Sequence, residues 1–503
     1  MSTTLTLPTN FSAAVALEQW ANLYSHADSL FSLSPLTSPE HTPPSSPILP
    51  SNVDLQSHGR ITSDAFVNDG CQLNPSPLPV PLFPHSSPSC VPAVQPQPSL
   101  PARASGNVST MEGPSSNPKL PVKDAKKSKP PHRAARQHAA ANAARAHQRD
   151  KAKGGQILEP AVREAPHRKY VKGAKQINTT FVTESARVAR TGFIGINDRS
   201  RSKRVYHLEE VTGVNSELQF KLVKWDGRQP MFISDSDGRA LVILAGYPED
   251  QGWPILMELA ADSLEVARSR FVPPKSENRR GTFDSLHCGV SFGGGQTSPS
   301  NLRNEKVNKV ILEWLCNLEP FKRLAGFASS AMHTWANDLF CAYAENLKEL
   351  HKDPELKRVF PNSIFSAATF NMGPCTVCTK HKDFSNLPYG YCAVTALGDF
   401  DPRQGGHLIL WELGLVVEFP PGSTILLPSA LISHSNTAIS QHEKRYSFTQ
   451  YTAGGLFRWV AHGCRTKDKY LATLTPDRLA SYVQEESVRW VKGLKLIPIV
   501  HGM

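Results

Sequence analysis

The feature that most constrains the fold is a series of short apolar segments separated by turn residues, which begins after Pro361. Segments such as STILLPSALISH and RYSFTQY are rich in β-branched and aromatic residues, and the turn sequences DPRQGG and PPGS lie between segments of this kind. Short strands at this density are typical of antiparallel sandwiches and barrels. Residues 361–465 are therefore predicted to form a β-sandwich or barrel.

Helical and strand-like segments precede this β region. NEKVNKVILEWLCNLEPFKRLAGF and SSAMHTWANDLFCAYAENLKEL carry apolar residues at helical spacing, and PILMELAADSLEVARSRF begins at Pro254, which suits the first turn of a helix. LQFKLVKWDG and RALVILAG are predicted strands. These patterns predict the α+β fold class, with helices before the β core.

The first part of the chain has a different composition. Pro and Ser dominate it, as in SPLTSPEHTPPSSPILP, and such a segment buries too little apolar surface to offset the entropy of ordering. We therefore expect a long disordered N-terminal region. The predicted regions are a Pro/Ser-rich tail (1–122), a basic arm rich in Ala, Lys and Arg (123–177), a mixed α/β part (178–360), the β core (361–465) and a C-terminal extension (466–503).

The positive charge is concentrated in the basic arm. Residues 123–175 contain 15 Lys and Arg but four Asp and Glu, a surplus equal to the whole net charge of +11. Such a surplus indicates contact with the phosphates of nucleic acid or a nuclear-import signal, with a solvated linker as the alternative. Nine cysteines fit a reducing compartment. The start MSTTLTLPTNFS lacks a secretory signal, and no apolar run reaches transmembrane length. We expect a nuclear protein without a membrane partner, and the oligomeric state stays open.

A His-x-Asp triplet occurs at three places, and its surroundings must distinguish a metal site from a chance pairing. The triplet at 26–28 lies in the predicted tail, and the triplet at 351–353 ends a predicted helix, where histidine suits the negative end of the dipole. His381 and Asp383 instead follow strand-like segments, and alternate residues of a strand face the same way. This pair is the candidate metal site.

An open iron(II) site needs a second histidine, because its facial triad consists of two histidines and one carboxylate. His407, His434 and His442 are the candidates downstream. His434 ends the apolar run STILLPSALISH, so the strands of a barrel can return it to the same end as His381. His407 is expected to be a strand residue, and His434 is predicted to complete the triad.

The next strand carries a candidate anion site. In RYSFTQY, Arg445, Ser447 and Thr449 share one face. A planar guanidinium matches a carboxylate in a bidentate way. With the iron ligands, Arg445 as the anchor of the far carboxylate and Ser447 as its helper satisfy the requirements of an iron(II)- and 2-oxoglutarate-dependent dioxygenase, which also consumes molecular oxygen.

These residues carry a family resemblance. HKDFSNLPYGYCAVTALGDFDPRQGGHLILWELGLVVEFPPGSTILLPSALISHSN and EKRYSFTQYTAGGLFRWV resemble the TET/JBP-like 2-oxoglutarate and iron(II)-dependent dioxygenases, in the transposon-associated branch of mushroom-forming fungi. The close match covers about residues 360–465. The resemblance implies a double-stranded β-helix (jelly-roll) core, the same iron and 2-oxoglutarate residues, and oxidation of a 5-methylpyrimidine in nucleic acid, for which a base in duplex must be flipped out.

Other interpretations of these motifs remain open. Cys375, Cys378 and His381 could begin a zinc site, although no second cysteine pair has a useful spacing. SFGGGQ at 291–296 lacks the Lys-Ser/Thr of a phosphate loop and is predicted to be a turn, with a flexible loop over the active-site mouth as the alternative. The alternative functions are the same chemistry on a protein or RNA substrate, and a catalytically inactive nucleic-acid-binding module.

Overall fold

The structure is a computed structural model, and it describes residues 164–197, 202–273 and 278–500. The predicted tail, the triplet at 26–28 and the basic arm up to residue 163 lie outside the described residues. Every candidate residue of the metal and anion sites lies inside them.

Helices occur before, between and after the strands of the described chain, and within these ranges no helix has both the length and the apolar character that a bilayer crossing requires. In the longer helices, apolar residues spaced three or four apart form one buried face. The helices are α1 (Glu164–Tyr170), α2 (Leu208–Val211), α3 (Trp253–Arg268), α4 (Lys306–Asn317), α5 (Glu319–Trp335), α6 (Asn337–Leu350), α7 (Gly454–Ala461), α8 (Lys467–Leu471) and α9 (Pro476–Leu494).

Two helix boundaries differ from the prediction. The segment predicted as one helix over 304–327 is divided at Leu318, and α5 continues to the next break at Ala336. Pro320 lies in the first turn of α5, where its missing N–H needs no partner. Ala336 has φ −134° and ψ 68°, which is outside the helical region. Apolar spacing continues across both breaks, so it could not locate them.

The described strands form two sheets. They are β1 (Lys175–Asn178), β2 (Lys221–Val223), β3 (Met231–Ser234), β4 (Ala240–Gly246), β5 (Ser285–Ser291), β6 (Ser300–Asn301), β7 (Ala367–Asn371), β8 (Cys392–Asp399), β9 (Leu408–Leu410), β10 (Leu415–Val417), β11 (Thr424–Leu427), β12 (His434–Asn436) and β13 (Lys444–Tyr451). The larger sheet has the order β1-β3-β4-β11-β8-β13-β7-β5-β6, and the smaller sheet has the order β12-β9-β10-β2.

From β7 to β13 the chain alternates between the two sheets. β7, β8, β11 and β13 belong to the larger sheet, and β9, β10 and β12 belong to the smaller one. The neighbours among these strands are antiparallel. The mixed α+β architecture agrees with the predicted fold class, and the closed double-stranded β-helix stays a prediction.

The folded part begins before the predicted boundary at 177/178. β1 crosses that boundary and pairs in parallel with β3, from Lys175 opposite Met231 to Asn178 opposite Ser234. The basic composition of the preceding segment concealed this strand. The other region boundaries stay predictions.

One face of the larger sheet packs against α3, α4 and α5. Phe370 and Phe448 on adjacent strands contact Phe321 of α5, with ring centroids 4.9 and 5.4 Å apart. All three rings are at most 1% exposed, and burial of each one contributes about 1.5–3 kcal/mol. This apolar layer fixes the orientation of β7 and β13, and therefore the direction of the side chains on their other face.

Candidate metal centre

The two sides of β13 have different environments, as the sequence pattern predicted. Tyr446 and Phe448 belong to the cluster that packs against the helices. Arg445, Ser447 and Thr449 point to the other side, and all three are buried. Strand alternation beside an apolar helix layer therefore directs a guanidinium and two hydroxyls toward the interior.

A short backbone ladder brings His381 and His434 together. The N–H of His381 donates to the carbonyl of His434 at 3.1 Å, and the N–H of His434 donates to the carbonyl of His381 at 3.0 Å. His434 begins β12, where it lies opposite Leu410 of β9. The two imidazole rings are neighbours as a result, with centroids 4.3 Å apart.

Both imidazoles present the same nitrogen to Asp383. The Nδ1 of His381 lies 2.8 Å from the carbonyl of Thr379, and the Nδ1 of His434 lies 3.0 Å from the carbonyl of Ile432. A carbonyl accepts only, so each Nδ1 carries the proton and each Nε2 keeps a free lone pair. The two Nε2 atoms lie 3.9 and 4.0 Å from the carboxylate oxygens of Asp383.

Asp383 lies in the loop after the ladder, where its N–H donates to the carbonyl of Ser429 at 2.9 Å. One ligand atom from each of His381, Asp383 and His434 lies within 4.8 Å of the others. Two imidazole nitrogens and one carboxylate oxygen are the donors of the facial iron(II) triad, so the residues present fit this metal. The assignment of the three residues as iron ligands stays a prediction.

Burial controls the charge of this cluster. Burial, together with the neighbouring His434, lowers the pKa of His381 to about 3, so this imidazole is neutral near pH 7. Burial opposes the ionisation of Asp383, but its imidazole neighbours and Arg280 favour the anion and hold the pKa of the carboxyl below its ordinary value. A buried carboxylate that keeps its negative charge favours a bound cation.

Arg445 has the properties of a buried anion anchor. Its side chain is 1% exposed, and burial lowers its pKa to about 10. Nη1 donates to the carbonyl of Thr376 at 2.6 Å, whereas Nε has no hydrogen-bond partner. In the described part of the chain Arg445 forms no ion pair, and its charge lies 5.6 and 5.8 Å from the ring centroids of Phe400 and Phe419. An uncompensated buried cation costs several kcal/mol, so the site fits an anionic guest.

The hydroxyl of Ser447 contacts Asn371, a second buried side chain whose hydrogen bonds are incomplete. Asn371 on β7 lies opposite Ser447, and its Nδ2 donates to the Ser447 hydroxyl at 2.9 Å. The Oδ1 of Asn371 is buried without a hydrogen-bond partner. An unpaired acceptor beside a hydroxyl and Arg445 leaves hydrogen-bonding capacity for a polar ligand.

A cavity of about 1100 Å³ reaches this centre from the side of β5. Asp383 lines it, whereas Arg445 lies deeper along β13, so the structure does not place every predicted residue in one open cavity. The lining includes the arginines 279, 280 and 303, the acidic residues 284 and 305, and the polar residues His287, Thr369, Asn386, Thr449 and Tyr451.

Sequence reasoning missed Arg280 and His287. Both precede the triad by about a hundred positions. His287 reaches the cavity because β5 pairs with β7 in the larger sheet, and Arg280 is held beside the triad segment because its carbonyl accepts the N–H of Thr379 at 2.7 Å. The adjacent arginines in NRRG and the polar residues alternating in β5 were the available signals. Neither signal identifies the distant strand that each segment meets.

The alternative motifs have other roles in the structure. His351 is the C-cap of α6, and its Nδ1 lies 2.8 Å from the carbonyl of Leu356, in agreement with the predicted helix terminus. His407 lies just before β9 and not in a strand as predicted; it is fully buried and contacts the Thr437 hydroxyl at 2.9 Å. Cys375 and Cys378 do not join a cluster of metal-ligand type within the described ranges. The SFGGGQ segment forms a turn after β5, as predicted.

Comparisons with known proteins give distant structural likenesses. No family model and no curated protein matches the chain. NgTET1, solved in complex with 5mC DNA, is similar with a TM-score of 0.33 and 14% identity, over 47% of this chain and 83% of that one. An oxidoreductase of the 2OG-Fe(II) oxygenase family from Burkholderia pseudomallei is similar with a TM-score of 0.23 and 19% identity, over 39% and 78%. Likenesses of this size carry no argument about function, which depends on the residues of the site.

Proposed function

We propose that this protein is an iron(II)- and 2-oxoglutarate-dependent dioxygenase. The observation that carries the proposal is the convergence of two Nε2 atoms and one carboxylate within 4.8 Å, with each Nδ1 bonded to a backbone carbonyl. Fixed tautomers orient the free lone pairs toward one point, which a purely structural histidine pair does not need.

His381, Asp383 and His434 would hold the iron, and three protein ligands leave positions for the cosubstrate and oxygen. When bound, iron(II) and 2-oxoglutarate supply the activation of molecular oxygen that oxidises a substrate C–H bond. The backbone carbonyls of Thr379 and Ile432 keep both imidazoles in the tautomer that can bind a metal.

Arg445 would bind the far carboxylate of 2-oxoglutarate. Its guanidinium is buried without an acidic partner among the described residues, so a carboxylate guest would supply the missing counter-charge in a water-poor site. Ser447 lies one step along the same side of β13, and its hydroxyl would bond to the same carboxylate.

We further propose a 5-methylpyrimidine in nucleic acid as the substrate and the nucleus as the location. The concentrated charge of residues 123–175 supports contact with phosphates, and Arg279 and Arg303 are exposed beside the cavity. The same chemistry on a protein or RNA substrate is the second candidate, and Asp284 and Glu305, which line the same cavity, would suit a basic protein segment. An inactive nucleic-acid-binding module is the third.

One experiment separates these candidates. The purified protein is incubated with iron(II), labelled 2-oxoglutarate, oxygen and DNA that carries 5-methylcytosine or thymine, and succinate and oxidised bases are measured together. The proposal requires succinate and an oxidised base in matching amounts. Succinate without an oxidised base would support a protein or RNA substrate. DNA binding without any succinate would support the inactive nucleic-acid-binding module.

A further inference from the structure

A polar wall lies on the interior side of three neighbouring strands. Pairing places His287 of β5 opposite Thr369 of β7, and Thr369 opposite Thr449 of β13. The next rung joins Ser285, Asn371 and Ser447 in the same way, and residues directly opposite on paired strands point to the same side. The polar wall consists of Ser285, His287, Thr369, Asn371, Ser447 and Thr449.

The wall extends from the anion site to the cavity. Arg445 lies one step beyond Ser447 on the same side of β13, whereas Ser285, His287 and Thr369 line the cavity together with Asp383. The wall is uncharged over its whole length. The part around His287 is two strands away from β13 and Arg445, so it is placed to meet the substrate and not the cosubstrate.

Both ring nitrogens of His287 contact hydroxyls of the wall. Nδ1 lies 2.7 Å from the hydroxyl of Thr369, and Nε2 lies 3.2 Å from the hydroxyl of Ser285. Asn304 fixes the backbone by donating to the carbonyl of His287 at 3.0 Å. Burial, together with nearby Arg280, lowers the pKa of His287 to about 4, so the ring is neutral near pH 7.

A neutral imidazole has one N–H donor and one acceptor nitrogen. If Nδ1 donates to Thr369, Nε2 accepts from Ser285, and the other tautomer reverses both bonds. In either tautomer one hydroxyl keeps its proton for a partner other than His287, and the other keeps lone pairs on its oxygen. Thr369 also bonds to the side chain of Tyr451, which lines the same cavity, and Nδ2 of Asn278 lies 3.5 Å from the hydroxyl oxygen of Ser285. The wall therefore presents a donor and an acceptor side by side, which suits an uncharged planar group with both functions, such as the edge of a pyrimidine.

We propose that His287 is a positioning residue, which orients the hydroxyls of Thr369 and Ser285 so that they hold the uncharged, hydrogen-bonding part of the substrate beside the metal centre. This inference rests on the proposed function. Loss of the imidazole should leave iron and 2-oxoglutarate binding unchanged, because neither would contact His287. It should reduce the fraction of 2-oxoglutarate turnovers that lead to oxidation of the substrate.

The test uses two variants at His287 and a matched control on the same strand. His287→Leu removes both hydroxyl contacts, whereas His287→Asn keeps a donor and an acceptor near the position of Nδ1. Cys288→Ala is the control, because Cys288 points to the helix side, where its Sγ lies 3.8 Å from that of Cys316. Oxidised base per succinate, the KM for a short oligonucleotide with 5-methylcytosine and the affinity for 2-oxoglutarate are measured for each protein.

We expect His287→Leu to lower the ratio of oxidised base to succinate about tenfold, equivalent to ~1.4 kcal/mol, with unchanged 2-oxoglutarate affinity. His287→Asn should recover most of the ratio, and Cys288→Ala should match the unmodified protein. A wild-type ratio and KM in His287→Leu would overturn the proposal, as would an Asn variant impaired as severely as the Leu variant.

Failure of the proposed function gives a different result. In that case the unmodified protein itself oxidises no methylated base. The positioning role of His287 is then tested by measuring how tightly the unmodified protein and His287→Leu, each loaded with manganese(II), bind the same oligonucleotide. About tenfold weaker binding by His287→Leu supports the positioning role, and equal binding by both proteins removes it.

Discussion

Replacement of Arg445 by methionine should separate the role of this residue in ligand binding from any role in stability. Its pKa falls from the ordinary 12.5 to about 10 because of burial. At 1.36 kcal/mol per pH unit, burial disfavours the cation by about 3 kcal/mol. The bond from Nη1 to the carbonyl of Thr376 contributes about 1.5–3 kcal/mol in the opposite direction, as expected for a charged donor. Because these contributions largely offset each other, Arg445→Met should change the free energy of unfolding of the ligand-free protein by no more than about 2 kcal/mol.

The effect on 2-oxoglutarate should be much larger. A ligand present at a hundred times its Kd stabilises the folded protein by about 2.7 kcal/mol. The unmodified protein should show this gain, and Arg445→Met should show almost none. Arg445→Lys keeps the charge but loses the planar fork, so its 2-oxoglutarate affinity should weaken by about 1–3 kcal/mol. Iron binding should persist in both variants.

Urea unfolding with and without 2-oxoglutarate measures both quantities in one assay. The control is Arg458→Met, because Arg458 lies on α7 with its guanidinium over the ring of Phe292. The reasoning is refuted if Arg445→Met lowers the stability of the ligand-free protein by 3 kcal/mol or more while 2-oxoglutarate still stabilises it. Arg445 would then support the segment around Thr376, and another basic residue would be the anchor.

Three further predictions concern the metal, the packing around Arg445 and the basic arm. Alanine at His381, Asp383 or His434 should abolish succinate formation and leave the fold largely intact, whereas His351→Ala should be nearly silent; equal losses at His351 and His381 would contradict the metal assignment. Gly406→Ala should weaken 2-oxoglutarate binding more than iron binding in parallel titrations, because a Cβ there, at φ +71°, would lie 2.7 Å from Cε2 of Phe400 and 3.1 Å from Cδ and Nε of Arg445. A protein that begins at residue 164 should keep turnover of a short substrate but bind long DNA more weakly, with a shallower dependence on salt; identical salt slopes for the two proteins would remove the arm from DNA binding.

The start point of the shortened protein illustrates what composition can and cannot show. Sequence reasoning placed the start of the globular part at 178, but β1 pairs with β3 through Lys175 and Asn178. A protein that begins at residue 178 would therefore lack most of β1, a strand of the larger sheet, together with the arm. The local charge of a segment gives no information about its strand partner, so composition could not show this pairing.

The central residues of the site were accessible to sequence reasoning because local rules define them. Alternation along RYSFTQY predicted the common side of Arg445 and Ser447, and the structure has that arrangement. The grouping of His381 with His434 required one assumption, namely that the strands return both residues to the same end of the β core. By contrast, His287 reaches the cavity through the pairing of β5 with β7, and Arg280 through a backbone bond with Thr379. No local pattern encodes the choice of either partner.

The segment 374–381 gives the cysteine-containing motif a role that needs no zinc. Near its start, its backbone hydrogen bonds with Arg445 have lengths of 2.7 and 2.9 Å. Near its end, it accepts a bond from the N–H of Asn436 at 2.9 Å and exchanges bonds with His434 at 3.1 and 3.0 Å. One short segment therefore connects the strand that carries Arg445 with the strand that carries His434. Because backbone bonds make this connection, the spacing between the two halves of the site depends on the length of the segment more than on its thiols.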